Sequence, residues 1–435
     1  MSDVFFAPAG PLRGEVTAPP DKSISHRAAL FGAMSSGTMR IANYLHADDT
    51  TSTLDAVRAL GGEVSVEPSG EVVVRGVGLG GARSPGSPID VGNAGTLMRL
   101  LPGWLAAQEG RAFTLDGDAS IRRRPVDRIA APLGRMGGVI EATDGRFPPF
   151  VVRGTTLEAI TYVLPVASAQ VKSCVLIAGL SAEGTTTVTE PAPSRDHTER
   201  MLAGAGVAVR RSGADISLVR TDALDAQSLM VPGDLSSAAF MIAAAVLVPG
   251  SRVLVRNVGV NWTRIGFLRI LERMGASVGG ELEPVPAPGD PIVPAEPICD
   301  LEVCSGPLRA SAVEADEVPL AIDELPLVAL LGCFAEGATI VRGAAELRVK
   351  ESDRIAGVVD GLRGLGAEIE ATEDGFVVTG TSGLCGGAIH AHGDHRMAML
   401  GAIAGLASRE GVRVVGMEAS AVSYPGFLQD LGRLR

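Results

Sequence analysis

Along the chain, runs rich in alanine and other apolar residues, such as Ala238–Val248 and Ser173–Leu180, alternate with short β-branched stretches bounded by glycine. The longer runs suit buried helices and fall well short of the roughly 20 residues that cross a bilayer. Their order repeats. An Ala-rich helical segment, a glycine, a short apolar strand, a second helix and a glycine leading into a β-branched stretch follow one another six times. The opening glycines are Gly37, Gly110, Gly184, Gly250, Gly337 and Gly411. The closing signals are LGGEV from Leu60, MGGVI from Met136, AGVAV from Ala205, MGASV from Met274 and LGAEI from Leu365, with a truncated LGRLR at the C-terminus. Glycine after an apolar helical run is the expected C-cap, and the residues that follow read as a strand.

Alternating helices and strands predict an α/β or mixed α+β chain, with three units in each of two lobes. The Ala18–Lys22 stretch and the pair Pro232 and Gly233 interrupt the pattern and read as crossovers. The expected lobes are therefore residues 1–20 plus 233–435 (the lower lobe) and 21–232 (the upper). A length of 435 residues fits two large cores, and 46% hydrophobic with 20% charged residues describes a globular protein.

Charge narrows the function. A net charge of -12 disfavours a nucleic-acid partner, which needs clustered cations. The N-terminal stretch carries no basic region ahead of an apolar run, so a cytoplasmic location is expected and no membrane partner. The 5 cysteines include no CxxC pair and cannot all pair within one chain, which suits free thiols in a reducing compartment.

The Ala-rich helices open on polar residues: Asp21, Lys22, Ser23 and Arg27; Gly92 to Thr96; Ser168, Ala169 and Gln170; Asp234, Ser236 and Ser237; Asp323 and Glu324; Asp394, His395 and Arg396. Ordinary N-capping accounts for the Ser, Asp and Asn residues. It does not account for Lys22, Arg27 or Arg396, because a helix N-terminus already carries partial positive charge. Converging N-termini with added cations make an anion trap, suited to a ligand bearing phosphate and carboxylate. Two more clusters add charge. Arg122, Arg123 and Arg124 read equally well as a solvated turn. In the run Arg348–Arg354, Lys350 and Arg354 are like charges four residues apart, which implies something negative between them. GNAGT from Gly92 lacks the spacing of a nucleotide loop. His390, His392 and His395 have no acidic or cysteine partner at a metal-binding spacing, so neither metal nor cofactor is expected.

PDKSISHRAA (Pro20–Ala29), GNAGTLMRLLPG (Gly92–Gly103), RRPVDR (Arg123–Arg128), ASAQVKS (Ala167–Ser173), RVKESDR (Arg348–Arg354) and DHRMAM (Asp394–Met399) together resemble the 5-enolpyruvylshikimate-3-phosphate synthases, over nearly the whole chain and in order. ASAQVKS, SRDHTERML and IDELP are closer to the family's second class. The resemblance implies two lobes of three βαβαββ units each, a monomer, and transfer of the enolpyruvyl group of phosphoenolpyruvate to the 5-hydroxyl of shikimate 3-phosphate. It implies Asp323, Glu351 and Lys22 as the groups that move protons. By the same match, Lys22, Gly95, Arg124, Gln170, Arg354 and Arg396 would surround phosphoenolpyruvate. Lys22, Ser23, Arg27, Ser168, Ala169, Gln170, Arg195, Asp323 and Lys350 would hold shikimate 3-phosphate. Ala169 and Glu346 stand where first-class members carry Ser and Asn, and Val422 or a neighbour stands where they carry a Lys near the SYPGF segment. UDP-N-acetylglucosamine enolpyruvyl transferases, the nearest rival, carry an Asn where Ser23 stands and a Cys in the loop corresponding to Gly117–Arg124, which has none here. An RNA phosphate cyclase is opposed by the acidic charge, and a non-catalytic anion-binding scaffold by the joint presence of Asp323, Glu351 and Lys22.

Overall fold

The computed structural model describes residues 3–381 and 383–435; Met1 and Ser2, where the N-terminal reading and the expected lower lobe begin, lie outside the described residues, as does Ser382. The Ala-rich runs form the helices Lys22–Met34, Gly95–Leu105, Ala169–Gly179, Leu235–Leu247, Leu325–Gly332 and His395–Ala407. Small side chains let these helices bury nearly their whole circumference; every residue of Leu235–Leu247 is buried. The second helices, Asp48–Ala59, Asp127–Arg135, His197–Gly204, Gly266–Arg273, Arg354–Gly364 and Phe427–Arg433, bury only part of their surface. The closing glycines Gly61, Gly137, Gly206, Gly275 and Gly366 all adopt positive φ, between 84° and 99°, as αL C-caps require. After AGVAV the strand starts later than its apolar residues suggest, at Arg210–Ser212.

Among the described residues, one strand arrangement recurs. In the second repeat Ile89–Asp90 runs parallel to Ala112–Asp116, which pairs antiparallel with Phe147–Arg153, itself antiparallel to Val139–Thr143. The third and fifth repeats build the same four-stranded order from their own strands. The first and fourth exchange a strand. Arg13–Thr17, just before the first helix, runs parallel to Arg252–Gly259 of repeat four, while Ser228–Met230 runs parallel to Thr38–Ala42 of repeat one. Repeat six ends without a hairpin, and Asp3–Phe6 takes the place beside Val412–Val415.

The chain divides into one unit of Met1–Pro19, Pro232–Pro284 and Pro297–Arg435, and another of Pro20–Val231 with Val285–Glu296. The strand exchange puts the crossovers at Pro19/Pro20 and Val231/Pro232, immediately ahead of the helices that begin at Lys22 and Leu235. Val285–Glu296, which the sequence assigns to the lower lobe, groups instead with Pro20–Val231 because Glu296 and Ala295 bond to His197 and Arg200. Each unit has its own apolar core, one around Phe240, Phe267 and Phe376, the other around Phe31, Trp104 and Phe113.

Equivalent glycines close three repeats. A Cβ on Gly76, Gly154 or Gly380, each just past a repeat's final strand, would lie 2.0, 1.8 or 1.7 Å from the carbonyl oxygen of Ser35, Gln108 or Ala335, one to three residues beyond that repeat's first helix. Gly154→Ala and Gly380→Ala should each destabilise the fold by about 1–3 kcal/mol, since backbone on backbone has nowhere to yield. Chemical unfolding midpoints check this, and an unshifted midpoint would contradict the packing.

Candidate active site

Each unit gathers the N-termini of its first helices. In the unit built on Pro20–Val231, Asp21 caps the first helix by accepting from Ile24 N at 2.8 Å. Lys22, at the start of that helix, is held by Asp49 Oδ2 at 2.9 Å. One turn on, Arg27 is almost fully buried: Nε donates to Thr198 Oγ1 at 2.8 Å, one terminal nitrogen to Ser23 O at 3.0 Å and the other to Ser173 Oγ at 3.1 Å. Burial and then the field of Arg195 pull its pKa down to about 10. Arg27 and Arg195 are therefore cations held near each other, an arrangement that an anion would relieve.

A second set in this unit surrounds Gly95. Arg99 donates to Gln170 Oε1 at 3.2 Å, and Gln170 to Thr96 Oγ1 at 3.4 Å, so the second and third helices are joined at their starts. Arg124 donates to Asn93 Oδ1 at 2.9 Å. A Cβ on Gly95 would come within 2.8 Å of Arg124 Nη1, so only glycine leaves the guanidinium in this position. The arginine triplet divides. Arg122 lies exposed and paired with Asp116, Arg123 is exposed, and Arg124 alone is buried. Ser168 caps the third helix through Val171 N at 3.4 Å, leaving Ala169 in its first turn. Beneath that turn Lys172 is fully buried between Glu190 at 3.0 Å and Glu199 at 2.7 Å, and also donates to Ser194 O at 3.2 Å. Burial opposes the ammonium, but the two carboxylates hold its pKa above the ordinary lysine value.

The other unit assembles all five of its expected residues. Arg354, 1% exposed in its side chain, reaches Asp394 Oδ2 at 2.9 Å, Asp323 Oδ1 at 3.3 Å and Glu351 Oε2 at 2.5 Å. Burial opposes its charge, but Asp394, Glu351 and Asp323 raise its pKa. Asp323 also lies 3.8 Å from Lys350 Nζ and 3.8 Å from Arg396 Nη2. It is therefore the negative group that the like-charged pair Lys350 and Arg354 implied. The run Arg348–Arg354 does not open as one helix. A 3-10 turn covers Ala345–Val349, and the helix starts at Arg354 with Asp353 as its cap. Asp394 caps the helix His395–Ala407 through Arg396 N at 2.9 Å and accepts from Ser352 Oγ at 2.9 Å. The network extends inward: Glu324 accepts from Ser236, which accepts from Arg264 at 2.7 Å, and Arg264 pairs with Asp234 at 3.0 Å.

Asn93, Glu324 and Asp394, read in the sequence only as polar helix openings and not as substrate-binding residues, belong to these networks, as do Asp49, Arg99 and Arg264, which the sequence reading did not single out. Arg99 was reachable, one helical turn beyond Gly95. Asp49 starts a different helix and looks like ordinary N-terminal acid. Among the described residues no group of three His, Cys, Asp or Glu side chains is arranged to hold a metal ion, and no helix is long and apolar enough to cross a membrane. The five cysteines are free.

The enolpyruvyl transferase NikO from Streptomyces tendae has the same fold, with a TM-score of 0.76 over 99% of this chain and 96% of that one at 19% identity. The chain is thus built on the enolpyruvyl transferase fold. A family model described as EPSP synthase (3-phosphoshikimate 1-carboxyvinyltransferase) matches residues 6–431, and the chain belongs to that family. The 3-phosphoshikimate 1-carboxyvinyltransferase of Bacillus subtilis strain 168 is 46% identical over 97% of both chains, and that of Synechococcus sp. strain RCC307 is 46% identical over 100% of both. A solved EPSP synthase from Acinetobacter baumannii superposes with a TM-score of 0.85 at 42% identity, covering 99% of this chain and 98% of that one.

Lys172→Met should lower stability at neutral pH by about 3–5 kcal/mol, since it leaves Glu190 and Glu199 buried without their cation. Burial already raises the pKa of Glu199, against the pull of Lys172. A carboxyl with a raised folded-state pKa contributes stability that is lost as pH rises through that value. The deficit of the variant should therefore shrink as the pH is lowered from 8 towards about 5. Denaturant melts across that range check it; a deficit independent of pH would mean that the triad is not ionised as described.

Proposed function

We propose that this chain joins phosphoenolpyruvate to the 5-hydroxyl of shikimate 3-phosphate and releases phosphate, supplying the route to chorismate and the aromatic amino acids. The observation that carries the reading is the grouping of Asp323 with Lys350, Arg354 and Arg396, a carboxylate facing three cations within 4 Å. Family membership supports it, because relatives 46% identical over full length bear the name of this activity.

Asp323 is the base for the substrate hydroxyl. In the free chain Lys350, Arg354 and Arg396 stabilise its negative charge; substrate phosphate and carboxylate would draw Lys350 and Arg396 towards themselves and so favour proton uptake by Asp323. The freed alkoxide attacks C2 of phosphoenolpyruvate as C3 takes a proton from Lys22 or Glu351; the tetrahedral intermediate then returns a C3 proton to that group as the bond from C2 to the phosphate oxygen breaks, which restores the double bond and releases phosphate. Lys22, Gly95, Arg124, Gln170, Arg354 and Arg396 serve phosphoenolpyruvate, and Arg354 must yield its hydrogen bond to Glu351 to do so, which frees that carboxyl for proton transfer. Ser23, Arg27, Ser168, Ala169, Gln170, Arg195 and Lys350, with Lys22 and Asp323, serve shikimate 3-phosphate. On this reading the enzyme needs no metal or cofactor and works as a cytoplasmic monomer.

The test is phosphate release and product mass with phosphoenolpyruvate and either shikimate 3-phosphate or UDP-N-acetylglucosamine, in EDTA. Release with shikimate 3-phosphate alone is expected; release with the nucleotide sugar alone overturns the substrate, and silence with both favours an anion-binding scaffold. Lys22→Ala should lower kcat by roughly 10²- to 10⁴-fold, the usual worth of a proton-transferring group, with circular dichroism unchanged. Full activity in that variant would remove Lys22 from the mechanism.

A further inference from the structure

The repeats close with antiparallel strand pairs whose connections are short in four of them: Val66 to Val72, Thr143 to Phe147, Ser212 to Asp215 and Ala371 to Phe376 leave two to five residues between strands. In the fourth repeat the connection runs from Gly279 to Ile298, eighteen residues with six prolines. Ordering that much chain costs conformational entropy, which proline reduces by stiffening the unfolded state. An ordered excursion of this length needs contacts that hold it.

Near its two ends Glu283 and Pro297 bond to Val260 and Trp262; the contacts of Val285–Glu296 with the Pro20–Val231 unit fall on one helix. Glu296 Oε1 meets His197 Nδ1 at 2.7 Å, with both side chains buried. Ala295 O accepts from Arg200 at 2.8 Å, and Pro294 lies against Gly204, where an added Cβ would be 3.5 Å from the proline Cβ. Positions 197, 200 and 204 share a face of the helix His197–Gly204. The intervening residues of the same helix hold the anion-binding cluster: Thr198 Oγ1 accepts from Arg27 Nε at 2.8 Å and shares a hydrogen bond with Ser173 Oγ at 2.7 Å, and Glu199 pairs with Lys172. His197 Nε2 is buried with no hydrogen-bond partner among the described residues, so the ring is oriented through Glu296.

We propose that Val285–Glu296 is a strap that fixes the helix His197–Gly204, and that Glu296 is a positioning residue for the binding of shikimate 3-phosphate through Thr198 and Arg27. This rests on the function proposed above. The carboxylate of Glu296 also faces Arg27 electrostatically, but that is among the smaller influences on the guanidinium, so loss of the tether outweighs loss of the charge.

The experiment is steady-state kinetics with both substrates, together with calorimetric binding of shikimate 3-phosphate alone, for the full chain carrying Glu296→Ala, Glu296→Gln or Glu296→Asp. Glu296→Ala should weaken shikimate 3-phosphate binding and raise its KM about tenfold, of the order of one hydrogen bond to a charged group, while kcat and the KM of phosphoenolpyruvate stay within about twofold. Glu296→Gln should recover most of the affinity, because its amide oxygen still accepts from Nδ1–H. Should the alanine variant fail to fold, Glu296→Asp, whose carboxylate is withdrawn by one methylene, should show an intermediate, equally selective rise. Unchanged affinity, an equal rise in both KM values, or a lowered Tm without a selective effect overturns the strap. Absence of phosphate release in the unmodified enzyme overturns instead the functional reading beneath it.

Discussion

Positive charge concentrated at buried helix N-termini has to be compensated, and most of the polar architecture of this chain follows from that requirement. Lys22, Arg27, Arg354 and Arg396 add full charges where helix ends already present partial ones. Asp49 holds Lys22; Asp323, Glu351 and Asp394 hold Arg354. Such carboxylates fix the cations in place, and on the function proposed above they are the groups that substrate anions would displace. Arg27 differs. Hydroxyl and carbonyl oxygens meet its donors, and its lowered pKa reflects burial and the neighbouring cation Arg195. Of Arg27 and Arg354 it is the less compensated, since neighbouring carboxylates raise the pKa of Arg354 while that of Arg27 is lowered.

The fold serves this charge arrangement by repetition. Helices nearly apolar around their circumference are buried in each core, which leaves only their ends to carry polar chemistry. The exchanged strands Arg13–Thr17 and Ser228–Met230 place both crossovers directly before such ends. Lys22 and Ser236 therefore stand within a few residues of the points where the chain passes from one unit to the other. The departure from repetition in the fourth repeat sends a proline-rich segment to the helix that carries Thr198, and so to Arg27.

By itself the sequence determined the six-fold repeat, because apolar periodicity, αL glycines and β-branched strands are local and survive without knowledge of the partners. It also marked Lys22, Arg27 and Arg396 as misplaced cations, since N-terminal position is read along the chain, and it required a negative group near Lys350 and Arg354. Tertiary structure alone decided that Asp323 is that group, that Arg124 is buried while Arg122 and Arg123 are solvated, that Asp394 pairs with Arg354, and that Asp49 and Arg99 join the clusters. The strand exchange and the assignment of Val285–Glu296 were equally invisible, as pairing between strands hundreds of residues apart leaves no trace in either strand's own pattern. The physical reason is common to all of these: a charge or an edge strand advertises a need, and only the three-dimensional packing determines which distant residue meets it.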